Sequence, residues 1–263
     1  MSAPVAAEPT TDVVPEGYAD VPHTRVRLKA RRRAIARNLE AAARIPSLTA
    51  DVQMDMTALL AARSEWNAGH PEAKLSVLAF LMRAAVAALR VHPDLNASYT
   101  ETAMLQWSTV NLGVAVDSPG GLVVPVVRAA ERLGVAELGV AVKDLAERVR
   151  GRGLTGEDLV GGTFTVSNPG AVGPSLRAEA LLNPPQVGLL GLPGLRRVPI
   201  VVGAGAEERV EIRSVLCPSL TFDHRALDGG EAIRYLTTLT AAVESWSLSD
   251  YLVPAHRPDE ETP

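Results

Sequence analysis

The sequence is poor in the residues that form disulfides or bind zinc. Of its 263 residues, one is cysteine (Cys217) and five are histidine. A single cysteine excludes an intrachain disulfide and a cysteine-rich zinc site, and it fits a reducing, cytoplasmic setting. No HExxH motif and no paired-histidine pattern occurs in the chain. We therefore expect no metal centre.

Several further classes of protein are disfavoured by what the sequence lacks. The net charge of −4 gives no reason to expect binding to nucleic acid. The longest apolar run, from Val77 to Leu89, contains Arg83 and is too short to span a bilayer. The N-terminus has neither the basic nor the apolar region of a signal peptide. Neither a GxxxxGKS/T phosphate-binding loop nor a GxGxxG dinucleotide fingerprint is present.

The composition that remains is that of a globular protein. Hydrophobic residues make up 47% of the chain and charged residues 21%, which is enough apolar material for a sizeable core. Residues 1–24 are rich in proline, alanine and acidic residues and are predicted to be disordered, and residues 251–263 are predicted to form a flexible tail. Residues 25–250 contain no internal repeat and no linker, which predicts one domain.

Hydrophobic periodicity predicts that this domain is α/β, with mixed strands and helices and no strict βαβ alternation. Helices are predicted at 27–44, 57–68, 75–91, 134–153 and 229–246. Strands are predicted at 47–56, within 107–128 (two strands joined by a turn at 117–121), at the start of 161–173, and at 186–192, 198–203 and 208–224.

The stretch TFDHRALDGG (221–230) carries the best candidate for chemistry. His224 ends a predicted core strand and has Asp223 and Asp228 nearby, whereas the other histidines lie in terminal segments or beside prolines. A neutral imidazole can take a proton from a hydroxyl or thiol and so create a nucleophile. Position alone leaves two alternatives open, a general base or a histidine that only caps or packs in a charged turn.

Other candidate residues also have structural alternatives. The sequence from Asp228 to Glu231 is typical of a capping box that opens a helix, and Asp223 with Arg225 could form an ordinary ion pair. Ser167, in TFTVSNPG, either forms a turn or donates a hydrogen bond to a developing oxyanion. The arginines of segment 31–37 either face solvent or meet a carboxylate or phosphate.

Several segments, in order along the chain, resemble the catalytic domain of the dihydrolipoamide acyltransferases of 2-oxo acid dehydrogenase complexes, relatives of chloramphenicol acetyltransferase. DHRALDGG (223–230) is similar to the DHRxxDG signature of that family, and GGTFTVSNPGAVG (161–173) is similar to its GGTFTxSNxGxxG segment. The other matching segments are RRAIARNLEAA (32–42), RIPSLTADVQMDMTAL (44–59), HPDLNAS (92–98), GLVVPVVR (121–128) and NPPQVGLLGL (183–192). The resemblance covers about residues 25–250.

The resemblance implies a chloramphenicol acetyltransferase-like two-layer fold, in which a mixed β-sheet is flanked by helices. It implies a homotrimer, which could build a larger cage, with His224 of one chain facing Ser167 of the next. Coenzyme A, as acetyl-CoA, is the implied co-substrate, and no lipoyl group is expected on this chain.

The resemblance also implies roles for individual residues. His224 would act as general base, Ser167 would stabilise the tetrahedral oxyanion, and Asp228 would orient the loop through Arg32 or Arg33. Arg44 and Asn168 would contact coenzyme A. The family's acidic residue two positions after the serine of NAS is here Thr100, which departs from the pattern.

The acceptor is the least determined part of this interpretation. About 25 residues precede the matching region, and family members normally carry a lipoyl domain there. We therefore expect a small-molecule acceptor, the primary hydroxyl of a tetronate-type polyketide intermediate, as for standalone acyltransferases of natural-product pathways. The alternatives are a core dihydrolipoamide acyltransferase served by lipoyl domains in trans, and a scaffold that has lost turnover.

Overall fold

The computed structural model describes residues 14–118, 121–151 and 153–246. Residues 1–13 of the segment predicted to be disordered, the whole predicted tail 251–263, and Pro119 and Gly120 of the predicted turn lie outside the described residues. The helices are α1 (Ala30–Ala42), α2 (Thr57–Gly69), α3 (Val77–Val91), α4 (Val135–Gly151) and α5 (Gly229–Glu244). The strands are β1 (Ser47–Asp51), β2 (Met54–Asp55), β3 (Ala97–Tyr99), β4 (Met104–Gln106), β5 (Leu112–Val114), β6 (Val126–Val127), β7 (Phe164–Ser167), β8 (Gly188–Gly191), β9 (Arg196–Val202), β10 (Arg209–Leu216) and β11 (Ser219–Asp223).

The main sheet has six strands in the order β1-β11-β8-β7-β5-β6. Strands β5, β7 and β8 run parallel to one another, whereas β1, β6 and β11 pair antiparallel with their neighbours. Strands β2, β10 and β9 form a second sheet, and β3 pairs with β4 in a hairpin. Helix α5 packs against β1 and β11, and α3 lies against α4 and α5. The predicted fold class, a mixed sheet flanked by helices, is confirmed.

Helix α3 forms the centre of the core because its sequence is apolar on nearly every face. Ten of its fifteen residues are buried, and the side chain of Ser76 caps its first turn by accepting from the backbone N of Ala79. Helix α5 contributes Tyr235, Leu236 and Leu239, each fully buried. Burial of one such side chain stabilises the fold by about 1.5–3 kcal/mol. None of the described helices combines the length and apolar character needed to cross a membrane.

Two of the predicted strands are each divided into two strands in the structure. The predicted strand 47–56 is interrupted after Asp51, and the predicted strand 208–224 is interrupted at Cys217–Pro218. The interruptions lie opposite each other, since Asp51 pairs with Ser219 in the main sheet and Met54 pairs with Leu216 in the second sheet. Pro218 has no N–H to give to a strand ladder, which favours a break at this point. Both chain segments therefore pass from one sheet to the other at the same level.

Candidate active site

His224 directly follows β11, the strand that places it at one end of the main sheet. Its backbone N donates to the carbonyl O of Pro46 at 2.9 Å, which fixes the main chain against the start of β1. Its side chain is exposed, with the ring of Phe222 5.8 Å away between centroids. Within the described residues the imidazole makes no hydrogen bond, so both ring nitrogens are open to a substrate or to a second chain.

The carboxylate before His224 is committed to another partner. Asp223 is buried, and its two oxygens accept from Nε and Nη2 of Arg225 at 3.0 and 2.7 Å. These hydrogen bonds raise the pKa of the Arg225 guanidinium above its usual value. The predicted ion pair is confirmed, and Asp223 therefore does not orient the imidazole through a hydrogen bond.

The second carboxylate of the stretch opens helix α5. The Asp228 Oδ1 accepts from the backbone N of Glu231 at 3.0 Å, and the Glu231 carboxylate accepts from the backbone N of Asp228 at 2.8 Å. This reciprocal pair is the predicted capping box, which is confirmed. The stretch therefore combines an exposed histidine with two carboxylates that hold the backbone on either side of it.

The expected link from Asp228 to an arginine of α1 does not form among the described residues. The Arg33 side chain donates instead to the carbonyl O of Leu28 at 2.8 Å, in the segment just before its own helix. Arg31 donates to Ser118 and Gly121. The capping box already occupies Asp228, because the hydrogen bond to the N3 backbone N is the local interaction that starts the helix.

Ser167 ends β7, in the middle of the main sheet. Its carbonyl O accepts from the backbone N of Leu192 at 2.8 Å, and a short helical turn begins at Pro169. Gly170 of that turn lies against Pro193, where any Cβ would collide with the backbone carbonyl, so the close approach requires glycine. The Ser167 hydroxyl is half-buried and makes no hydrogen bond with the described residues. It is thus free to donate to a ligand.

Asn168, the next residue, lines a cavity of about 470 Å³. The beginning of α3 and the chain that follows β8 also line this cavity. A cavity of this size accommodates part of a cofactor-sized molecule. The lining is mostly apolar: Ser76, Val77, Leu78, Leu81, Asn168, Gly170, Ala171, Gly173, Pro174, Pro193, Gly194, Leu195 and Leu216.

His224 and Ser167 lie at opposite ends of the main sheet within one chain. Ser167 pairs with Gly191 on β8, and Gly191 pairs with Ser219 on β11, whereas His224 lies five residues further along. At about 3.4 Å per residue and about 4.8 Å per strand, the two residues are roughly 20 Å apart. One chain therefore does not bring them together.

The five predicted site residues fall into two groups. His224 and Asp228 lie at one end of the sheet, and Arg44 lies there too, because it precedes β1 by three residues and β1 runs alongside β11. Ser167 and Asn168 lie at the other end. Arg44 is exposed, as expected of a residue that meets a ligand phosphate, and Asn168 is half-buried in the cavity wall.

Sequence reasoning missed two contributors to these half-sites. The beginning of α3, near Ser76, lines the cavity although nothing in its sequence marks it as functional. The ring of Tyr99 lies under the guanidinium of Arg225, with Cζ 4.5 Å from the ring centroid. The only signal for Tyr99 was its place directly after the matching segment HPDLNAS. In the part of the chain that the structure describes, no cluster of three potential metal ligands occurs.

The geometry defines a class of protein whose site has two halves, one with an exposed histidine and the other with a serine whose hydroxyl is not hydrogen-bonded to any described residue. Comparison with known proteins shows the family. Residues 21–249 match the catalytic domain of the 2-oxoacid dehydrogenases acyltransferase family. The chain belongs to this family.

Curated relatives include acetyltransferases and succinyltransferases. The chain is 35% identical over 249 residues to the dihydrolipoyllysine-residue acetyltransferase component of the pyruvate dehydrogenase complex of Corynebacterium glutamicum, covering 93% of this chain and 37% of that protein. It is 36% identical over 222 residues to the dihydrolipoyllysine-residue succinyltransferase component of the 2-oxoglutarate dehydrogenase complex of Bacillus subtilis, covering 83% of this chain and 52% of that protein. The chain thus spans about a third to a half of these relatives' length.

Solved structures show the same fold. The crystal structure of the Azotobacter vinelandii dihydrolipoamide acetyltransferase superposes with a TM-score of 0.81 at 28% identity and covers 89% of this chain and 96% of that one. A probable dihydrolipoamide acetyltransferase from Listeria monocytogenes gives a TM-score of 0.79 at 26% identity, covering 86% and 96% of the two chains.

These comparisons correct the acceptor expected from the sequence. The prediction of an O-acetyltransferase that acts on a tetronate-type alcohol is wrong, because the curated relatives at 33–38% identity are dihydrolipoyllysine acyltransferases. The prediction of a small-molecule acceptor is wrong for the same reason. The expectation was drawn from the short segment before the matching region, and the site residues themselves carry no signal that distinguishes a hydroxyl acceptor from a thiol.

Proposed function

We propose that this protein exchanges acyl groups between coenzyme A and the dihydrolipoyl group of a dihydrolipoyllysine residue. The observation that carries the proposal concerns His224 and Ser167, whose side chains make no hydrogen bond with the described residues. They stand in a fold shared with dihydrolipoamide acetyltransferases. A base for a thiol and a donor for an oxyanion are the two groups that thioester exchange requires.

In the proposed mechanism His224 takes the proton from the attacking thiol as its sulfur forms a bond to the thioester carbonyl carbon. The carbonyl oxygen gains negative charge, and the Ser167 hydroxyl donates a hydrogen bond to it. The tetrahedral intermediate then breaks the bond to the other sulfur, and His224 returns its proton to that leaving thiolate. Every atom and proton is thereby accounted for, and the sequence runs equally in either direction.

This mechanism needs His224 of one chain beside Ser167 of another. We propose a homotrimer in which each subunit boundary joins the two half-sites, because one chain keeps them roughly 20 Å apart. A structure of the cubic core of a pyruvate dehydrogenase complex, at a TM-score of 0.81 and 28% identity, supports an assembly of this kind and its extension to a larger cage.

The role of the loop after His224 has support from a relative. The Azotobacter vinelandii structure belongs to an investigation of a serine, a histidine and an asparagine in the catalytic mechanism of that enzyme. The asparagine follows the histidine by four positions there, which is the interval from His224 to Asp228 here. We propose that Asp228 acts by holding the loop, since its side chain caps α5.

For coenzyme A we propose contacts with Arg44 at the His224 end and with Asn168 at the Ser167 end. Arg44 is exposed and positively charged, which suits a phosphate. Asn168 offers a side-chain amide on the wall of an apolar cavity, which suits the amide-bearing arm of a thiol cofactor.

The test is a transfer assay with acetyl-CoA and succinyl-CoA as donors and dihydrolipoamide as acceptor. We expect acyl dihydrolipoamide and free coenzyme A to form in equal amounts with at least one donor. His224→Ala should lower the rate by about 10²- to 10⁴-fold, the typical contribution of a general base. His70→Ala is the matched control, because His70 is also exposed but stacks on Trp66 in α2. The absence of transfer from either donor by the wild-type protein would overturn the proposal.

A further inference from the structure

Arg225 joins two parts of the fold beside His224. Along one edge its guanidinium donates to both oxygens of Asp223, at the end of β11. Its face lies over the ring of Tyr99, with Cζ 4.5 Å from the centroid. Tyr99 ends β3, so this one side chain connects the main sheet to the β3–β4 hairpin.

The contacts form a closed ring. The backbone N of Asp223 donates to the carbonyl O of Val187 at 2.9 Å, and the backbone N of Val187 donates to the carbonyl O of Ala97 at 3.3 Å. Ala97 and Tyr99 are the two ends of β3, and the contact of Tyr99 with the Arg225 guanidinium closes the cycle. A ring of this kind restricts motion more than any one of its contacts, because displacement of one member must strain the others.

His224 lies between two members of this ring. The backbone N of Arg225 donates to the Asp223 Oδ1 at 3.0 Å, and the backbone N of His224 donates to Pro46 at 2.9 Å. The carbonyl O of Asp223 also accepts from Ala226 and Leu227. The main chain on both sides of His224 is thus fixed, while its ring makes no hydrogen bond among the described residues.

We propose that Tyr99 and Arg225 are positioning residues that set the placement of the His224 imidazole for proton transfer. This inference rests on the proposed function of His224 as the base. Asp223 and Asp228 make no hydrogen bond to the imidazole. The direction in which the His224 side chain points therefore depends on its backbone, which is fixed by the closed set of contacts through Asp223, Val187, Ala97, Tyr99 and Arg225. A displacement of about 1 Å can lower the rate of an enzyme by about 10²-fold.

The decisive variants of Tyr99 differ in whether they keep the aromatic ring. Tyr99→Leu removes the face on which the guanidinium lies, whereas Tyr99→Phe keeps it and loses only the hydroxyl. We expect kcat to fall roughly 10- to 100-fold in Tyr99→Leu, with KM for acyl-CoA unchanged, and to stay within about two-fold of wild type in Tyr99→Phe.

Arg225→Lys tests the other half of the contact. Lysine keeps the positive charge but has neither the planar face nor the two-point geometry of arginine, so we expect it to lower kcat like Tyr99→Leu. Arg148→Met is the control, because Arg148 also forms ion pairs, with Asp144 in α4 and Asp158 in the chain after it, and none of these is a predicted site residue.

A second measurement separates this proposal from the proposed function. In protein labelled with ¹³C at the histidine ring, the His224 signal, assigned from a His224→Gln variant, should be single in wild type and Tyr99→Phe. It should broaden or split in Tyr99→Leu. An unchanged His224 signal in Tyr99→Leu, or a kcat that stays within two-fold of wild type, would overturn the positioning role. If the wild-type protein transfers no acyl group, the proposed function fails. The NMR signal of the His224 imidazole then decides by itself whether Tyr99 positions His224.

Discussion

His224 and Ser167 share one sheet but occupy its opposite ends. Ser167 is level with the first residue of β11, and His224 follows the last. The imidazole of one and the hydroxyl of the other are both without a hydrogen bond among the described residues. A chain that ends two strands of one sheet, β7 and β11 with β8 between them, in two such groups presents two half-sites. A complete site requires a second chain.

The half-site at Ser167 leads to a first prediction. Ser167→Ala should lower kcat by about 10²- to 10³-fold, as expected for the loss of one oxyanion donor, because no described residue replaces its hydroxyl. Initial rates of coenzyme A release give the measurement. Ser245→Ala is a suitable control, since the Ser245 hydroxyl donates to the carbonyl O of Ala241 in the helix that precedes it. A loss of less than a few-fold in Ser167→Ala would assign Ser167 to the turn alone.

The capping box leads to a second prediction, which concerns stability and activity together. Asp228→Ala should lower the free energy of unfolding by about 1 kcal/mol, because the N-terminus of α5 loses its cap. Asp228→Asn keeps an oxygen that can accept from the backbone N of Glu231, so it should retain both stability and most of the activity. Urea unfolding and initial rates at a temperature where all variants are folded provide the comparison.

A different outcome for Asp228→Asn would change the interpretation of this residue. If the asparagine variant is as stable as wild type but as inactive as Asp228→Ala, the negative charge of Asp228 is needed. An arginine from elsewhere in the assembly would then be its partner.

His92 provides a third prediction, on the dependence of stability on pH. Its Nε2 lies 2.8 Å from the Oγ1 of Thr238, between α3 and α5. Burial lowers the pKa of His92 below 6.5, the nearby Arg234 lowers it further, and Asp94 opposes the shift. The unfolded chain therefore binds more protons than the folded chain between the lowered pKa and 6.5.

The sign of the effect follows from this difference in bound protons. Stability is fully present above 6.5 and is lost as the pH falls through 6.5 towards the lowered pKa. His92→Gln keeps a hydrogen-bonding side chain that does not titrate, so its urea midpoint should depend less on pH in that window. Parallel pH profiles for the two proteins would contradict the assignment to His92.

The sequence predicted the long helices well, because a long apolar or amphipathic run bounded by a cap is a local signal. Helix α3 has an apolar sequence with a serine cap, and it forms within two residues of its predicted bounds. The division of the strand at Cys217–Pro218 was not predicted, because the apolar residues continue through Pro218 into β11. The choice between two sheets depends on which strands are nearby, and this is tertiary information. The β3–β4 hairpin was missed because each of its strands has three residues, which is too short to show an alternating pattern.

The candidate site divides in the same way. Spacing alone indicated the capping box at Asp228 and the ion pair at Asp223, because both are local. The engagement of Tyr99 with Arg225 joins residues far apart in the sequence, which no local pattern indicates. The family resemblance implied that His224 and Ser167 act from different chains, but no pattern in the residues showed it. Their separation follows from the order and register of β7, β8 and β11, since a strand pattern does not tell which end of the sheet a residue occupies.

The most direct test of the central claim is to mix two inactive chains. His224→Ala and Ser167→Ala chains, unfolded together and reassembled in equal amounts, form boundaries in which one chain supplies an intact histidine and the other an intact serine. If the two residues act across a boundary between chains, random assembly should restore up to about a quarter of wild-type acyl transfer to dihydrolipoamide. Each variant reassembled by itself should stay inactive. A mixture no more active than the separate variants would contradict a site shared between two chains.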